Sequence, residues 1–216
     1  METQYKFPHT RSDFIYAAGY RVVDILFNAY FKISHEGLEN INGLDDKPLV
    51  VLPFPHTRYF DVPLESHLIT KRLGRSAYFI MAESVEFQAL LKKFGGLPIT
   101  RTKDLRVKGI NGHTEESDIK KLPTLYRQVI PSLLKENEVV VIHPQAAMNV
   151  KGFRQGVLNG LIQSQEVYGT QLTFLPLKIE SAGRGYAFRS ECRLRIGNQF
   201  KASTPEEIRF NLEKYI

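Results

Sequence analysis

Residues 138–144 read Glu138-Val139-Val140-Val141-Ile142-His143-Pro144. Four apolar β-branched residues stand in a row with no polar alternation. A strand exposed on one face alternates, whereas a strand buried on both faces does not. The run therefore predicts a strand inside a sheet covered on both sides. Similar apolar runs occur at Leu49-Val50-Val51-Leu52-Pro53, at Ala77-Tyr78-Phe79-Ile80-Met81-Ala82 and over Leu172–Ile179. Helical stretches separate them. Asp61–Leu73 carries Pro63 in its first turn, where the missing N–H does no harm. Glu86–Phe94 is stopped by Gly95-Gly96. Asp118–Asn137 is helical but interrupted by Pro123 and Pro131, and Gly156–Tyr168 comes next. Tyr186–Ile196 predicts a further strand. A last helix opens at Pro205, where Thr204 and Glu207 have capping-box spacing. Thr102–Ser117 is polar, contains Asn111-Gly112 and predicts a surface loop. Strands alternating with helices predict an α/β fold: a single domain, with a mostly parallel central sheet flanked by helices and an N-terminal amphipathic helix.

The composition agrees with that reading. The chain has 216 residues, 43% hydrophobic and 24% charged, which fits one globular domain and excludes disorder as its main character. Cys192 is the single cysteine, so no internal disulfide forms and a cysteine-built zinc or iron–sulfur site is excluded. Lysine and arginine number 29 against 23 acidic residues, and the surplus of +6 favours anionic partners. Nucleic acid is not expected among them, because no recognition motif or aromatic-rich basic stripe accompanies the charge. No metal-ligand spacing joins His35, His67 and His113, which read as ordinary surface or half-buried histidines. Met1–Lys6 lacks the basic-then-apolar pattern of a signal peptide.

Phe14–Phe31 is the most apolar stretch. Asp13, Ala17, Arg21, Asp24, Asn28 and Lys32 recur at steps of three or four and form one narrow stripe. The rest of the circumference is apolar and aromatic. Arg21 and Asp24 argue against a membrane span. Such a helix either packs on its own domain or lies on a membrane surface. Tyrosines towards both ends favour the surface. The expected organisation is a membrane-associating helix over 1–32 and the main domain over 33–216. The expected location is cytoplasmic, attached peripherally to the inner face of a membrane with anionic lipid.

In parallel sheets, sites collect in the loops beyond the carboxyl ends of strands. The first such loop reads Phe54-Pro55-His56-Thr57-Arg58-Tyr59-Phe60-Asp61. Histidine titrates near neutrality, and a carboxylate on one ring nitrogen leaves the other to take a substrate proton. No serine or cysteine nucleophile adjoins the pair, which suggests direct attack by a substrate hydroxyl or amine. The same spacing also suits Asp61 as a plain helix cap. In Phe94-Gly95-Gly96-Leu97-Pro98-Ile99-Thr100-Arg101, two glycines permit close backbone approach and Arg101 offers a bidentate fork for phosphate or carboxylate. His143-Pro144-Gln145 sets polar groups just past a strand, and Pro176 breaks the run Phe174-Leu175-Pro176-Leu177. Lys71, Arg72 and Arg75 cluster at a helix end, read either as a solvated end or as an anion contact. Lys92, Lys93, Arg101, Lys103, Arg106 and Lys108 form a denser basic stretch suited to headgroups or phosphates.

The order His-x4-Asp, Gly-x4-Arg, strand-Pro, strand-Pro-Leu resembles the glycerolipid acyltransferases, whose best-known members are the 1-acylglycerol-3-phosphate acyltransferases. The lead-in Phe31–Ile41 is similar too, and the resemblance covers roughly residues 30–200. It implies that His56 is the general base, that Asp61 orients it, and that Gly96 and Arg101, with Gly95 alongside, belong to acceptor binding. It places Pro176 on the acyl-donor side. Phe153-Arg154-Gln155-Gly156 is similar to the Phe-Lys-x-Gly that commonly comes after the third motif. That third motif, Phe-Pro-Glu-Gly-Thr-Arg, departs here to His143-Pro144-Gln145-Ala146-Ala147-Met148. Either the acceptor differs, or His143, Lys151 or Arg154 supplies the lost charge, or turnover is weak or absent. Arg58 is also positioned in sequence to reach an anionic head. The expected activity is transfer of an acyl group from acyl-CoA or acyl-carrier protein to a hydroxyl of a glycerolipid or lysophospholipid, with no metal and no further cofactor. A thioesterase and a non-catalytic lipid-binding relative are the alternatives.

Overall fold

The computed structural model describes residues 11–55, 61–82, 88–99, 125–145, 151–181 and 188–215. Seven strands make one sheet: β1 (Lys32–Glu36), β2 (Leu49–Pro53), β3 (Ala77–Ala82), β4 (Gly96–Ile99), β5 (Val139–Val141), β6 (Thr173–Ser181) and β7 (Glu191–Ile196). Their spatial order is β1-β7-β6-β2-β5-β3-β4. Neighbours run parallel except at β6–β7, so β1 and β7 oppose the other five strands. Six α-helices occur among the described residues: α1 (Asp13–Tyr30), α2 (Asp61–Leu73), α3 (Gln88–Lys93), α4 (Ile130–Lys135), α5 (Gln155–Tyr168) and α6 (Pro205–Glu213). The expected single α/β domain with a mostly parallel sheet is present.

The buried strands and α2 fall where their sequence patterns put them. The edges differ. β1 has one apolar residue in five and alternates between exposed and half-buried positions, so it lacks the buried-strand signature. β4 is short and contains Pro98, which an edge strand tolerates. The strand expected over 186–196 is confined to Glu191–Ile196, with residues 188 and 189 in a turn. The helix expected over 118–137 is, in its described part, a π-helical turn at Leu125–Val129 followed by α4. Pro131 lies in the first turn of α4, where no N–H is needed. The expected loop at Thr102–Ser117 lies outside the described residues.

Alternation along the central strands divides the core in two. Leu49, Val51, Val139, Val141, Leu175 and Leu177 face the side covered by α1 and α2. Val50, Leu52, Val140, Ile142 and Phe174 face the side covered by α4, α5 and α6. The unbroken apolar runs in the sequence are thus two interleaved faces, each buried. At the start of α6, Thr204 Oγ1 accepts from the Glu207 amide at 3.2 Å. Glu207 reaches back to the Ser203 amide at 2.7 Å, one residue before the cap.

Helix α1 lies on the first of these faces. Phe27 and Phe31 join that core, and the Tyr16 hydroxyl lies 2.7 Å from Thr70 Oγ1 of α2. Gly19 lets the helix approach Phe94, since a Cβ there would stand 2.1 Å from the Phe94 ring. Asp24, on the polar stripe, contacts both Lys71 Nζ at 3.0 Å and His67 Nε2 at 3.3 Å. His67 is buried and stacks on Tyr20 at 5.5 Å, so it is a core histidine with an ionic neighbour, not the surface or half-buried residue its sequence suggests. His113 lies outside the described residues. The basic cluster at the end of α2 divides. Lys71 pairs with Asp24, while Arg75 is buried and donates to the carbonyls of Leu44, Lys47 and Asn137 at 2.8–3.0 Å. Arg75 is therefore neither a solvated helix end nor a headgroup contact. It fastens the loops at the base of the sheet.

Candidate functional site

The carboxyl ends of β2 and β5 lie side by side in parallel register, Val51 opposite Val141. The segments that leave these two strands are therefore brought to one place. β2 leads through Phe54 and a cis Pro55 towards His56, and α2 then opens at Asp61. His56 and Arg58 lie outside the described residues, as does Arg101. Asp61 is only 1% exposed, in the first turn of α2, where the helix dipole favours a carboxylate. Its burial sets it apart from the solvent-facing cap that its sequence position also allows.

His143 and Gln145, beyond β5, are both buried at this end of the sheet. Nε2 of His143 lies 3.3 Å from Oε2 of Glu65. Glu65 is 1% exposed and one helical turn beyond Asp61. Burial works against protonation of His143, but the Glu65 carboxylate outweighs it. With Asp61 and the Pro53 carbonyl assisting, the imidazole is raised above its ordinary range. Glu65 escaped the sequence reading because it belongs to no motif. The available signal was a carboxylate at i+4 from Asp61, on a face whose neighbours Leu64 and Leu68 are core residues.

Arg154 joins the same end. Its amide donates to the Pro144 carbonyl at 2.8 Å, and it is the N-cap residue of α5 with its side chain exposed. Pro176 lies opposite Leu52 of β2. Beyond it β6 changes partner from β2 to β7, and its carbonyl accepts from Gly197 at 3.0 Å. A residue without an N–H suits that handover. Asp61, His143, Gln145, Arg154 and Pro176 are thus associated with the carboxyl ends of β2, β5 and the adjoining part of β6.

Gly95 and Gly96 stand elsewhere. They precede and begin β4, with Gly96 paired to Phe79. That is the amino end of the strand, about 10 Å below its carboxyl end at 3.3 Å per residue. The close approach they permit is to the protein itself. A Cβ on Gly95, which has φ +88°, would lie 2.6 Å from the Ala77 carbonyl, and one on Gly96 would lie 2.8 Å from Met81 Sδ. An open cleft of about 440 Å³ lies beside the last turn of α2, lined by Arg11, Tyr16, Tyr20, Thr70 and Ser76 among others. It is a separate feature, since Thr70 and Asp61 are roughly 14 Å apart along the helix.

No protein-family model matches the chain, and no curated protein sequence matches it either. Among the described residues no helix is long and apolar enough to cross a membrane. Nor do three or more histidine, cysteine or acidic residues there gather in a way that could hold a metal ion.

Proposed function

We propose that this chain is an acyltransferase that moves an acyl group from acyl-CoA or acyl-carrier protein to a hydroxyl of a glycerolipid or lysophospholipid. The observation that carries the reading is the buried carboxylate of Asp61. It stands at a strand-to-helix crossing on the carboxyl side of a mostly parallel sheet, five residues beyond His56 in the sequence. A carboxylate withdrawn from water is suited to orienting an imidazole and stabilising its protonated form.

In this mechanism the acceptor hydroxyl gives its proton to His56 as its oxygen attacks the thioester carbonyl. Asp61 stabilises the imidazolium. The tetrahedral intermediate then collapses, the C–S bond breaks, and His56 returns the proton to the departing thiolate. The products are an ester and a free thiol. Gln145 and Arg154, near the end of β5, are the candidates for the acceptor's polar head. Arg154 offers one exposed cation in place of the arginine that the third motif lacks.

The outer face of α1 supports action at a membrane surface. Phe14 is 83% exposed and Ile25 68%, with Val22 and Leu26 also exposed. Apolar side chains so displayed on a helix suit an interfacial position.

The test is release of free thiol from a panel of acyl-CoAs by wild type and His56→Ala, with and without lysolipid acceptors. Release that needs both His56 and one acceptor supports the reading. His56-dependent release without acceptor would make the chain a thioesterase. A folded chain that binds lipid yet releases no thiol from acyl-CoA or acyl-carrier protein would be a non-catalytic lipid binder.

A further inference from the structure

β1 is an edge strand whose one neighbour in the sheet is β7. The Lys32 amide donates to the Ser190 carbonyl at 3.0 Å. In a parallel pair, successive residues turn their backbone groups to opposite sides. Lys32, Ser34 and Glu36 therefore address β7, and Ile33 and His35 turn their amides and carbonyls outward. Among the described residues nothing bonds to the backbone of Ile33 or His35. The opposite edge strand, β4, contains Pro98, a residue that blunts an edge. β1 has no proline, and its five-residue register with β7 is unbroken, so no bulge twists it away either.

We infer that β1 is a docking edge for a second copy of this chain, the two β1 strands pairing antiparallel about a two-fold axis through Ser34. The inference goes beyond the acyl-transfer reading and does not depend on it.

The order of residues along the strand selects that partner. With Ser34 on the axis, Ile33 lies opposite His35 of the second copy. These are the residues whose backbone groups point outward, so each such pair exchanges two hydrogen bonds and the edge gains four. The same register sets Lys32 opposite Glu36 of the second copy, and symmetry makes that pair twice. Both side chains lie on the exposed face of the strand. Glu36 Oε2 stands 3.2 Å from Arg195 Nε, which holds its carboxylate on that face. Lys32 has no ion pair among the described residues. Opposite charges directly across a pair of strands attract, and like charges repel. A parallel pairing in register would set Lys32 against Lys32, and a shift along the edge would lose both ion pairs. Residues opposite each other share a face, so the axis stands perpendicular to the joint sheet. The two α1 helices then lie on one side of it, where one membrane can receive both outward arcs. Two five-residue edges are short against a standard interface of about 800 Å² per partner, so the dimer exchanges with free chain and grows with concentration.

The test uses the full chain, with circular dichroism to confirm that each variant is folded. Sedimentation velocity should show wild type passing from monomer to dimer as concentration rises. Lys32→Glu and Glu36→Lys each place like charges opposite one another twice, and each should weaken self-association about tenfold or more. An equimolar mixture of the two variants restores both opposite-charge pairs and should dimerise again. Ser34→Cys locates the axis. Cα atoms in a non-hydrogen-bonded antiparallel pair are about 4.5 Å apart, within disulfide reach. Mild oxidation should therefore link Ser34→Cys chains into a covalent dimer. Lys32→Cys should not link, because four residues put its two copies about 14 Å apart along the strands. Wild type, whose single Cys192 is buried, is the blank. Wild type that stays monomeric overturns the inference. A mixture no more associated than its components overturns it too, as does linking at Lys32→Cys equal to that at Ser34→Cys. A dimer with no link at Ser34→Cys would show that the copies meet through another surface, and the assignment to β1 would fall.

Discussion

The Tyr16 hydroxyl sits 2.7 Å from Thr70 Oγ1 and also accepts the amide of Ala77 at 3.2 Å. One side chain on α1 is thereby bonded to the last part of α2 and the first residue of β3. The Ala77 amide is buried, so removing its acceptor leaves a donor without compensation. Tyr16→Phe keeps the ring and deletes the oxygen. The expected loss is about 1–3 kcal/mol of folding stability. Urea denaturation monitored by far-UV dichroism measures it, and a loss under about 0.3 kcal/mol would show that water reaches the site.

Two histidines give the fold opposite responses to pH. Burial holds His67 below its ordinary range; Asp24 offsets part of this and Lys71 adds to it. The unfolded chain therefore takes up that proton more readily. His67 contributes stability that is present above about pH 6.5 and is lost as pH falls through its folded value. His35 is lowered too, by burial and then by Arg72, His67 and Lys71, and acts in the same sense. His143 is raised, so its contribution is present below about pH 6.5 and lost as pH rises through its folded value. Calorimetric melting across this range should show a decline on both sides. His67→Phe, which preserves stacking on Tyr20, should remove part of the acid decline and leave the alkaline one. An unchanged acid limb would contradict the assignment.

The centre of this fold is legible in the sequence and its margins are not. The sheet centre is written in Leu49–Pro53 and Val139–Ile142, because burial on both faces leaves no polar residue to interrupt the pattern. β1 and β4 are held by neighbours on one side only, and Lys32, Glu36 and Pro98 carry no buried-strand signal. Asp61 and His143 are legible as candidate site residues because each comes after a strand. Glu65 is not, because its partner is far away in sequence, and a pair formed between a helix and a distant strand end leaves no local spacing. Gly95 and Gly96 carry two readings in the sequence for a related reason. A glycine needed for close approach has the same spelling whether it approaches a ligand or, as at Gly95, the backbone of β3.

Gly95 combines a positive φ with a Cβ position 2.6 Å from the Ala77 carbonyl oxygen. Backbone cannot yield as a side-chain tip does. Gly95→Ala should therefore cost about 1–3 kcal/mol of stability, through strain and displacement of β4. The same loss should be measured with and without acceptor lipid. A variant of unchanged stability but weakened acceptor binding would instead return Gly95 to the site.

Asp61→Asn separates orientation from charge at the proposed pair. The amide keeps the volume but offers the imidazole a donor where it needs an acceptor. Rate losses of about 10³–10⁴ accompany this change where a buried aspartate orients a catalytic histidine. Thiol release should fall by that order, while circular dichroism and lipid binding stay as in wild type. Loss of activity by less than about threefold would mean that Asp61 is a helix-terminal carboxylate and no more.

The outward face of α1 makes the membrane part of the reading separable from the chemistry. Phe14, Val22 and Ile25 lie within one arc of the helix, opposite the arc of Tyr16 and Phe27 that enters the core. The Tyr30 ring continues the apolar surface to the exposed Phe188, 5.4 Å away. Withdrawing a large apolar side chain from water contributes about 1.5–3 kcal/mol. Replacing two on this face, Phe14→Ser with Ile25→Glu, should therefore weaken vesicle binding by well over tenfold. Both positions are exposed, so stability should change by no more than about 0.5 kcal/mol each. Arg21→Glu tests the charge instead. It should weaken binding to vesicles containing phosphatidylserine by roughly 1–2 kcal/mol and leave binding to pure phosphatidylcholine nearly unchanged. Co-sedimentation with the two vesicle types measures both effects. Undiminished binding by the double variant would show that α1 serves only to cover the sheet, because its buried face is untouched by either substitution.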